Sequence, residues 1–225
     1  MIRDLSGMRQ GAASGKARSM LIFLHGYGAD GDDLMGLAKP LAPYMPDTVF
    51  VSPDAPELCA GDAGGRQWFS VPWIDQSSEE DAVRGMRQSV MDLNAYIDKV
   101  VEEEGVTIEN TVLFGFSQGT MMALQLAPRR DEVFAAVVGF SGRLMLPDEL
   151  RDEVISFPPV LLLHGEKDDV VTPEALNKAE FALSTLGFEI YPYIMQNTGH
   201  GISSDGLSVA AGFMREKLGI EGDPK

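Results

Sequence analysis

The chain has 225 residues, of which 44% are hydrophobic and 23% are charged, a composition typical of a folded globular protein. Its 34 acidic residues outnumber its 18 basic residues, so the formal net charge at pH 7 is −16. This charge argues against a nucleic-acid partner and disfavours docking on anionic lipid, because both need clustered lysines and arginines. The single cysteine, Cys59, excludes an internal disulfide framework and predicts a reducing, cytoplasmic location.

The apolar segments of the chain are short. The first twenty residues lack the apolar stretch of a signal peptide. The longest apolar runs have the length of strands, far below the roughly 20 residues that span a bilayer. We therefore expect no integral membrane association, and the sequence gives no indication of the oligomeric state.

The first part of the chain predicts two strands and a long irregular segment. Residues 1–19 contain few large apolar side chains and are expected to form an edge hairpin or to be partly loose. Apolar runs predict strands at Met20–Leu24 and Thr48–Ser52, and a glycine-rich turn, His25–Gly28, follows the first. Glycines and prolines interrupt residues 53–78, and an irregular segment of this length is often functional.

A long helix is predicted next. Ser77 and Glu80 have the spacing of a capping box, in which each side chain bonds a free amide of the first turn. The helix is expected to end at Gly105. Apolar residues recur along one face at helical spacing: Val83, Met86, Val90, Leu93, Ile97 and Val100 or Val101.

The rest of the chain alternates strands and helices. Apolar runs predict strands at Thr111–Phe116, Val133–Phe140, Val160–Leu163 and Phe188–Met195. Helices are predicted from Gln118 to Ala127, from Pro173 to Gly187 and from Leu207 to Leu218. This alternation predicts one α/β domain over 1–225, with a mostly parallel central sheet flanked by helices. Ligands of such sheets bind beyond the carboxyl ends of the strands. The tail, residues 221–225, carries no functional signal.

A candidate nucleophile lies between a predicted strand and a predicted helix. The segment GFSQG, residues 115–119, has the pattern G-x-S-x-G. In this pattern a tight turn lifts the serine hydroxyl off the sheet edge, and the glycines let the strand and the helix approach each other. Ser117 is therefore the predicted nucleophile. Ser141 also follows a strand, but Arg143 stands where the second glycine would be needed.

A serine nucleophile needs a base, and the base needs an orienting acid. Of the three histidines, only His200 leaves room for an acid between itself and Ser117, as the order serine, acid, histidine requires. His25 and His164 are interpreted as structural or orienting residues. Three carboxylates that follow the strand ending at Leu163 are candidates for the acid: Glu166, Asp168 and Asp169.

The negative oxygen of an acyl-transfer intermediate needs backbone N–H donors. One donor is expected from Gln118, the residue after the nucleophile. The second is expected from the glycine-rich turn His25–Gly28, because its glycines let the backbone approach a substrate.

Five segments in chain order then carry a resemblance: LIFLHGYGADGDDL, GRQWFSVPW, LFGFSQGTMMAL, HGEKDDVVTP and NTGHGIS. Together, from about residue 20 to residue 218, they resemble the carboxylesterase/lysophospholipase group of α/β-hydrolases that includes acyl-protein thioesterases. The resemblance implies an α/β-hydrolase fold and a triad of Ser117, Asp168 and His200. It selects Asp168 because that residue is the fourth after His164 in a motif similar to H-G-x-x-D-x-x-V-P, although this chain has Asp169 where proline is frequent.

The resemblance also implies further site residues. The oxyanion donors would be the backbone amides of Tyr27 and Gln118, and Trp68 and Phe69 match the segment that walls the acyl pocket in this group. The chain is short for a large inserted cap domain, so a cap-free fold with an open pocket is expected.

The implied function is a serine hydrolase that cleaves carboxylic esters or thioesters through an acyl-serine intermediate, most simply a carboxylesterase. No cofactor and no metal is expected, and the expected partner is a small-molecule or lipid-like acyl ester. Lysophospholipase and acyl-protein thioesterase activities are alternatives. The non-enzymatic alternative is an inactive hydrolase scaffold that binds a ligand, because a fold alone does not fix a function.

Overall fold

The computed structural model describes residues 1–59 and 64–222. The strands of the main sheet are β1 (Gly7–Gln10), β2 (Ser19–Leu24), β3 (Thr48–Pro53), β6 (Thr111–Phe116), β7 (Ala136–Phe140), β8 (Val160–Gly165) and β9 (Ile190–Met195). Two short strands, β4 (Glu57–Leu58) and β5 (Arg66–Gln67), form a separate ribbon between β3 and β6 in the chain. The seven strands of the main sheet are connected as follows. They form a seven-stranded sheet in the order β1-β3-β2-β6-β7-β8-β9, beside the two-stranded ribbon β4-β5.

The sheet is parallel except at one edge, where β1 pairs with β3 in the antiparallel direction. The chain runs from β2 outward to β3 and later returns to the other side of β2 with β6. Loops at the carboxyl ends of two strands separate at such a reversal and open a crevice. The two loops at this crevice are the predicted oxyanion turn, after β2, and the predicted nucleophile turn, after β6.

Helices cover both faces of the sheet. They are α1 (Gly31–Met35), α2 (Ala38–Leu41), α3 (Pro72–Asp75), α4 (Glu79–Glu104), α5 (Gln118–Leu126), α6 (Pro147–Glu153), α7 (Glu174–Leu186) and α8 (Ser204–Lys217). The helices α4, α5 and α7 share one apolar core with alternate residues of β2, namely Met20, Ile22 and Leu24. Leu21 and Phe23 point into the second core, with α1, α2 and α8. This alternation is that of a strand buried on both faces, which explains the near-continuous apolar runs.

The structure confirms the α/β architecture predicted from the sequence. The prediction differs from the structure only in the bounds of single elements and in the short elements. The cap of α4 is Ser78 instead of Ser77: the Ser78 hydroxyl accepts the Asp81 amide at 3.0 Å. The strand predicted from Val133 begins only at Ala136. The sequence does not predict the short helices α1, α2, α3 and α6, because four to seven residues are too few to show a helical period. No helix within the described ranges is both long and apolar enough to cross a bilayer.

The N-terminal segment is held against the body of the protein by Arg3. Its Nε donates to Asp92 on α4 at 2.6 Å, its Nη1 donates to Glu57 at 2.9 Å, and its backbone amide donates to Asp92 at 2.8 Å. The Asp92 carboxylate is fully buried and therefore depends on this partner, because an unpaired buried charge is strongly destabilising.

The turn from β6 into α5 requires glycine at position 119. A Cβ at Gly119 would lie 1.8 Å from the carbonyl oxygen of Leu24 on the adjacent strand. We expect Gly119→Ala to lower the free energy of unfolding by about 3 kcal/mol, because β2 and α5 must move apart. The matched control is Gly212→Ala in α8, where the added Cβ meets no atom within 4 Å. Because alanine favours helix, the control is expected to stabilise by about 0.5–1 kcal/mol in urea unfolding. Equal effects of the two substitutions would contradict the close approach at position 119.

Candidate active site

Ser117 occupies a strained turn between β6 and α5. Its φ is +52° and its ψ is −112°, values that a residue other than glycine adopts only when its surroundings impose them. The Ser117 amide donates to the Phe140 carbonyl at 2.8 Å, and the Ser117 carbonyl accepts the Met121 amide at 3.2 Å. The backbone of this residue is therefore fixed by β7 and α5. Its side chain lies at the carboxyl end of β6, where the G-x-S-x-G pattern predicts it.

The glycine-rich turn after β2 lies against the nucleophile. A Cβ at Gly26 would lie 3.4 Å from the Ser117 Cβ, so the turn passes directly beside that side chain. Tyr27 follows in the same turn. Gln118 is the first residue of α5, and the amides of a first helical turn have no acceptor within the helix. The two predicted oxyanion donors therefore belong to segments that border Ser117.

Asp168 and His200 form a direct pair at the carboxyl ends of β8 and β9. The Nδ1 of His200 lies 2.8 Å from one carboxylate oxygen of Asp168 and 3.0 Å from the other. The Asp168 side chain is fully buried, whereas Asp169 is exposed. Of the two adjacent aspartates, the structure thus places Asp168 against the histidine.

The Asp168 carboxylate is held in its ionised form. Burial by itself raises its pKa, but hydrogen bonds from His200 and from the amides of Val171 and Val170 outweigh burial and lower the pKa below its usual value. The two amides donate to the same oxygen at 2.9 and 3.0 Å. An ionised carboxylate holds the proton of the imidazole on Nδ1, which leaves Nε2 as the proton acceptor.

Backbone contacts fasten the acid loop to the histidine loop. The Lys167 amide donates to the Thr198 carbonyl at 2.8 Å, and the Asn197 amide donates to the Glu166 carboxylate at 2.9 Å. Glu166, one of the three acids that the sequence left open, therefore braces the histidine loop. Because both loops follow neighbouring strands, these bonds fix Asp168 relative to His200.

The imidazole of His200 lies beside the nucleophile turn. Its ring centroid is 5.0 Å from that of Phe116, the residue that precedes Ser117. Among the hydrogen bonds of the described residues, none joins the Ser117 hydroxyl directly to His200. Hydrogen bonds between a nucleophile and its base are often long without substrate and commonly tighten only when substrate binds. The three predicted triad residues are thus brought to one end of the sheet, with the acid–base pair formed.

The other two histidines have structural partners. The His25 Nε2 accepts the Ala55 amide at 3.0 Å, and its Nδ1 donates to the Gly26 carbonyl at 2.8 Å, a pattern that requires the neutral ring. Burial lowers the pKa of His25, which favours the same neutral form. The His164 Nε2 donates to the Val171 carbonyl at 2.7 Å and so supports the turn that holds the acid. Both residues position loops, as the sequence indicated.

Trp68 and Phe69 lie in the core. Their exposed fractions are 0% and 1%, so their role as walls of an acyl pocket stays a prediction. Their backbone is bound by the side chain of Gln118, whose Oε1 accepts the Trp68 amide at 2.8 Å and whose Nε2 donates to the Phe69 carbonyl at 2.7 Å. This bracing role of Gln118 was missed, because nothing in the sequence pairs position 118 with a segment fifty residues earlier.

Ser141 has the backbone of a turn but not the surroundings of a nucleophile. Its φ is +49°, and its side chain is fully buried. Its hydroxyl forms no hydrogen bond with any described residue. A serine without a base and without access to substrate has no route to acyl transfer.

The chemistry available at this end of the sheet is nucleophilic and acid–base. An aspartate–histidine pair beside a serine can remove the hydroxyl proton and stabilise the imidazolium that results. Within residues 1–59 and 64–222, no group of three His, Cys, Asp or Glu side chains is arranged to hold a metal ion.

Comparisons with known proteins identify the family to which the chain belongs. A family model described as Phospholipase/Carboxylesterase matches residues 11–218. The crystal structure of esterase PE8 is 39% identical, with a TM-score of 0.91, and the match covers 96% of this chain and 100% of that chain. Esterase YpfH of Escherichia coli (strain K12) is 28% identical over 199 residues, which are 88% of this chain and 83% of that protein. Acyl-protein thioesterase 1 of Saccharomyces cerevisiae is 30% identical over 229 residues, covering 95% of this chain and 99% of that protein.

The family match extends from before β2 to the end of α8 and so includes every loop that carries a candidate catalytic residue. The structural match confirms the α/β-hydrolase fold over nearly the whole chain. The chain therefore belongs to the phospholipase/carboxylesterase family of α/β-hydrolases and is a hydrolase of carboxylic esters.

Proposed function

We propose that the protein is a serine carboxylesterase whose catalytic triad is Ser117, His200 and Asp168. The observation that carries the proposal is the 2.8 Å contact between His200 Nδ1 and an ionised, buried Asp168 carboxylate, next to a serine in a strained strand–helix turn. This arrangement leaves Nε2 of the imidazole to accept the proton of the hydroxyl.

The reaction runs in two halves. The Ser117 oxygen attacks the ester carbonyl carbon while His200 Nε2 takes the hydroxyl proton, and the carbonyl oxygen becomes an oxyanion bound by the amides of Tyr27 and Gln118. The intermediate then collapses: the bond to the alcohol oxygen breaks, and the imidazolium gives that oxygen its proton. His200 next takes a proton from water, and the hydroxide attacks the acyl-serine. Collapse of this second intermediate releases the carboxylic acid and returns the proton to Ser117.

The substrate proposed is a small-molecule or lipid-like acyl ester, and no cofactor takes part. A second candidate, acyl-thioester hydrolysis, is favoured by the 30% identity to the yeast protein named acyl-protein thioesterase 1. Comparing kcat/KM for p-nitrophenyl esters and acyl thioesters of equal acyl length separates the two, and a lysophospholipid in the same series tests the third activity. A cytoplasmic location is part of the proposal and rests on the presence of a single cysteine, Cys59, in the sequence, which excludes an internal disulfide framework.

The test of the proposal is labelling with a fluorophosphonate probe, which reacts with activated serines. We expect one adduct per folded chain, located by peptide mapping at Ser117, because the proposal assigns His200 to that serine as its base. The control is His200→Ala, in which labelling should slow by about 10³-fold or more because the base is lost. Absence of labelling in the wild-type protein would instead favour an inactive, ligand-binding scaffold, and an adduct at Ser141 would overturn the choice of nucleophile.

A further inference from the structure

A groove of about 690 Å³ lies beside the proposed triad. On one side it is lined by Val170 and Val171, whose amides bind the Asp168 carboxylate. On another side it is lined by Arg143, which follows Gly142, and a Cβ at Gly142 would lie 3.0 Å from the Ser117 carbonyl oxygen. The groove therefore borders both the acid loop and the segment that packs on the nucleophile turn.

The lining of this groove differs in charge from the rest of the protein. Most of its lining residues are apolar, among them Trp73, Leu144, Met145, Leu146, Val170 and Val171. The charged residues of the lining are Arg143 and Lys178, and no aspartate or glutamate belongs to it. This is a cationic site in a chain that has 34 acidic residues and a net charge of −16.

Arg143 is half-buried and has no carboxylate partner among the described residues. Its guanidinium lies over the Trp73 ring at 4.1 Å from the centroid, and its Nε contacts the Met145 sulfur at 3.2 Å. Eight other arginines form ion pairs with carboxylates: Arg3, Arg9, Arg18, Arg84, Arg87, Arg129, Arg130 and Arg151. Arg66 and Arg215 donate to the carbonyls of Ala55 and Gly222. Among the described arginines, Arg143 is thus the one whose guanidinium has no oxygen acceptor, since its single hydrogen-bond contact is to a sulfur.

The surroundings of Arg143 prepare it for an anion. Burial lowers the pKa of the Arg143 guanidinium, and the negative charge of Glu79, which acts in the opposite direction, does not compensate for it. The loss of hydration of the guanidinium is therefore not balanced by a charge within the protein. Trp73 supports one face of the guanidinium by a cation–π contact, and neither Nη group forms a hydrogen bond with a described residue. The planar fork of arginine matches two oxygens of a carboxylate or a phosphate.

We propose that this groove selects esters that carry an anionic oxygen group, a carboxylate or a phosphate, and that Arg143 is the residue that determines this specificity. The inference rests on the proposed function, because it concerns the substrate of the same site. The apolar part of the groove holds the short carbon chain between the ester and the anion. Lys178, on α7, contributes a second positive charge at the solvent side.

The test compares esters with and without the anion. Monoethyl adipate against ethyl hexanoate gives a carboxylate on the acyl side, and 2-acetoxyethyl phosphate against ethyl acetate gives a phosphate on the alcohol side. For each pair, the ratio of kcat/KM for the anionic ester to that for the neutral ester is measured in the wild-type protein and in Arg143→Met. We expect this ratio to fall about tenfold to a hundredfold in at least one pair, as for loss of a charge-assisted hydrogen bond.

Two further variants sharpen the comparison. Arg143→Lys keeps the charge without the fork and should recover part of the ratio. Arg87→Met is the matched control, because Arg87 is an exposed arginine that pairs with Glu149 and does not line the groove. Its ratio should equal that of the wild-type protein. The pair in which the ratio falls identifies the anion as the carboxylate or the phosphate.

The outcomes separate this inference from the proposed function. If the wild-type protein hydrolyses the neutral esters and the ratio is the same in Arg143→Met in both pairs, the anion site is overturned and the esterase remains. An equal fall in Arg87→Met would also overturn it, because general loss of positive charge would then explain the result. If the wild-type protein hydrolyses none of the four esters and resists the fluorophosphonate probe, the proposed function itself fails.

Discussion

Replacing Ser117 by alanine is expected to lower kcat for p-nitrophenyl acetate by about 10⁴-fold to 10⁶-fold, the range seen when a catalytic serine is removed. The substitution removes only the hydroxyl oxygen that forms the acyl bond. The Cβ that contacts the turn of Gly26 remains, and so do the backbone bonds to Phe140 and Met121. The fold should therefore be unchanged, with the same circular dichroism and the same urea midpoint.

Ser141→Ala is the matched control for this experiment. Ser141 also follows a strand and also has a positive φ, of +49°, but its hydroxyl is buried and has no described partner. Its removal should leave kcat within about twofold and should not lower stability, because a hydroxyl without a hydrogen bond contributes little. Full activity in Ser117→Ala, measured on protein purified from a host without background esterase, would disprove the assignment of the nucleophile.

Asp168→Asn is expected to lower kcat by about 10³-fold to 10⁴-fold while stability changes far less. The carboxylate now accepts the Nδ1 proton of His200 and the amides of Val170 and Val171. An asparagine can keep the amide bonds through its oxygen, but its NH₂ group then faces the imidazole. It favours the tautomer that carries the proton on Nε2, which cannot accept a proton from Ser117.

The neighbouring aspartate provides the control. Asp169→Asn removes the same charge one residue away, at an exposed position. If long-range electrostatics explained the loss, kcat would fall equally in both variants. If the direct contact with His200 explains it, kcat falls only in Asp168→Asn. We expect Asp169→Asn to stay within about threefold of the wild-type kcat. A larger loss at Asp169 than at Asp168 would transfer the role of the acid to the exposed residue.

The strands of the fold could be predicted where burial on both faces restricts their residues to apolar types. Strands covered by helices on both faces must be apolar at nearly every position, so the runs from Met20, Thr111 and Val160 identified β2, β6 and β8 directly. Short elements escaped for the opposite reason. The helix α1 has five residues and owes its position to a single capping side chain, that of Asp30, which leaves no periodic pattern to detect.

The candidate site could be predicted to the level of loops but not of every atom. The G-x-S-x-G pattern and the chain order select Ser117 and His200 as candidates, since both criteria follow from local geometry and topology. Asp168 and Asp169 are equivalent in the residue pattern alone, because both follow the same strand. The difference arises from a turn that brings the Asp168 amide within 3.2 Å of the Gly165 carbonyl and buries the Asp168 side chain. In the sequence, Arg143 indicates only that the second glycine of the pattern is missing, because whether its guanidinium has an acceptor depends on its neighbours in the folded chain.

The three proposed catalytic side chains follow β6, β8 and β9, so their separation is set by how the strands are aligned within the sheet. A one-residue slip between neighbouring strands would shift a loop by about 3.3 Å, more than acyl transfer tolerates. Connections at the amino ends of the strands, such as residues 187–189 before β9, lie a strand's length from the catalytic loops. Insertions that arise during evolution are therefore far better tolerated in the loops at the amino ends of the strands than within the strands themselves. Growth at the carboxyl ends changes which molecules are admitted, while the reaction itself is preserved.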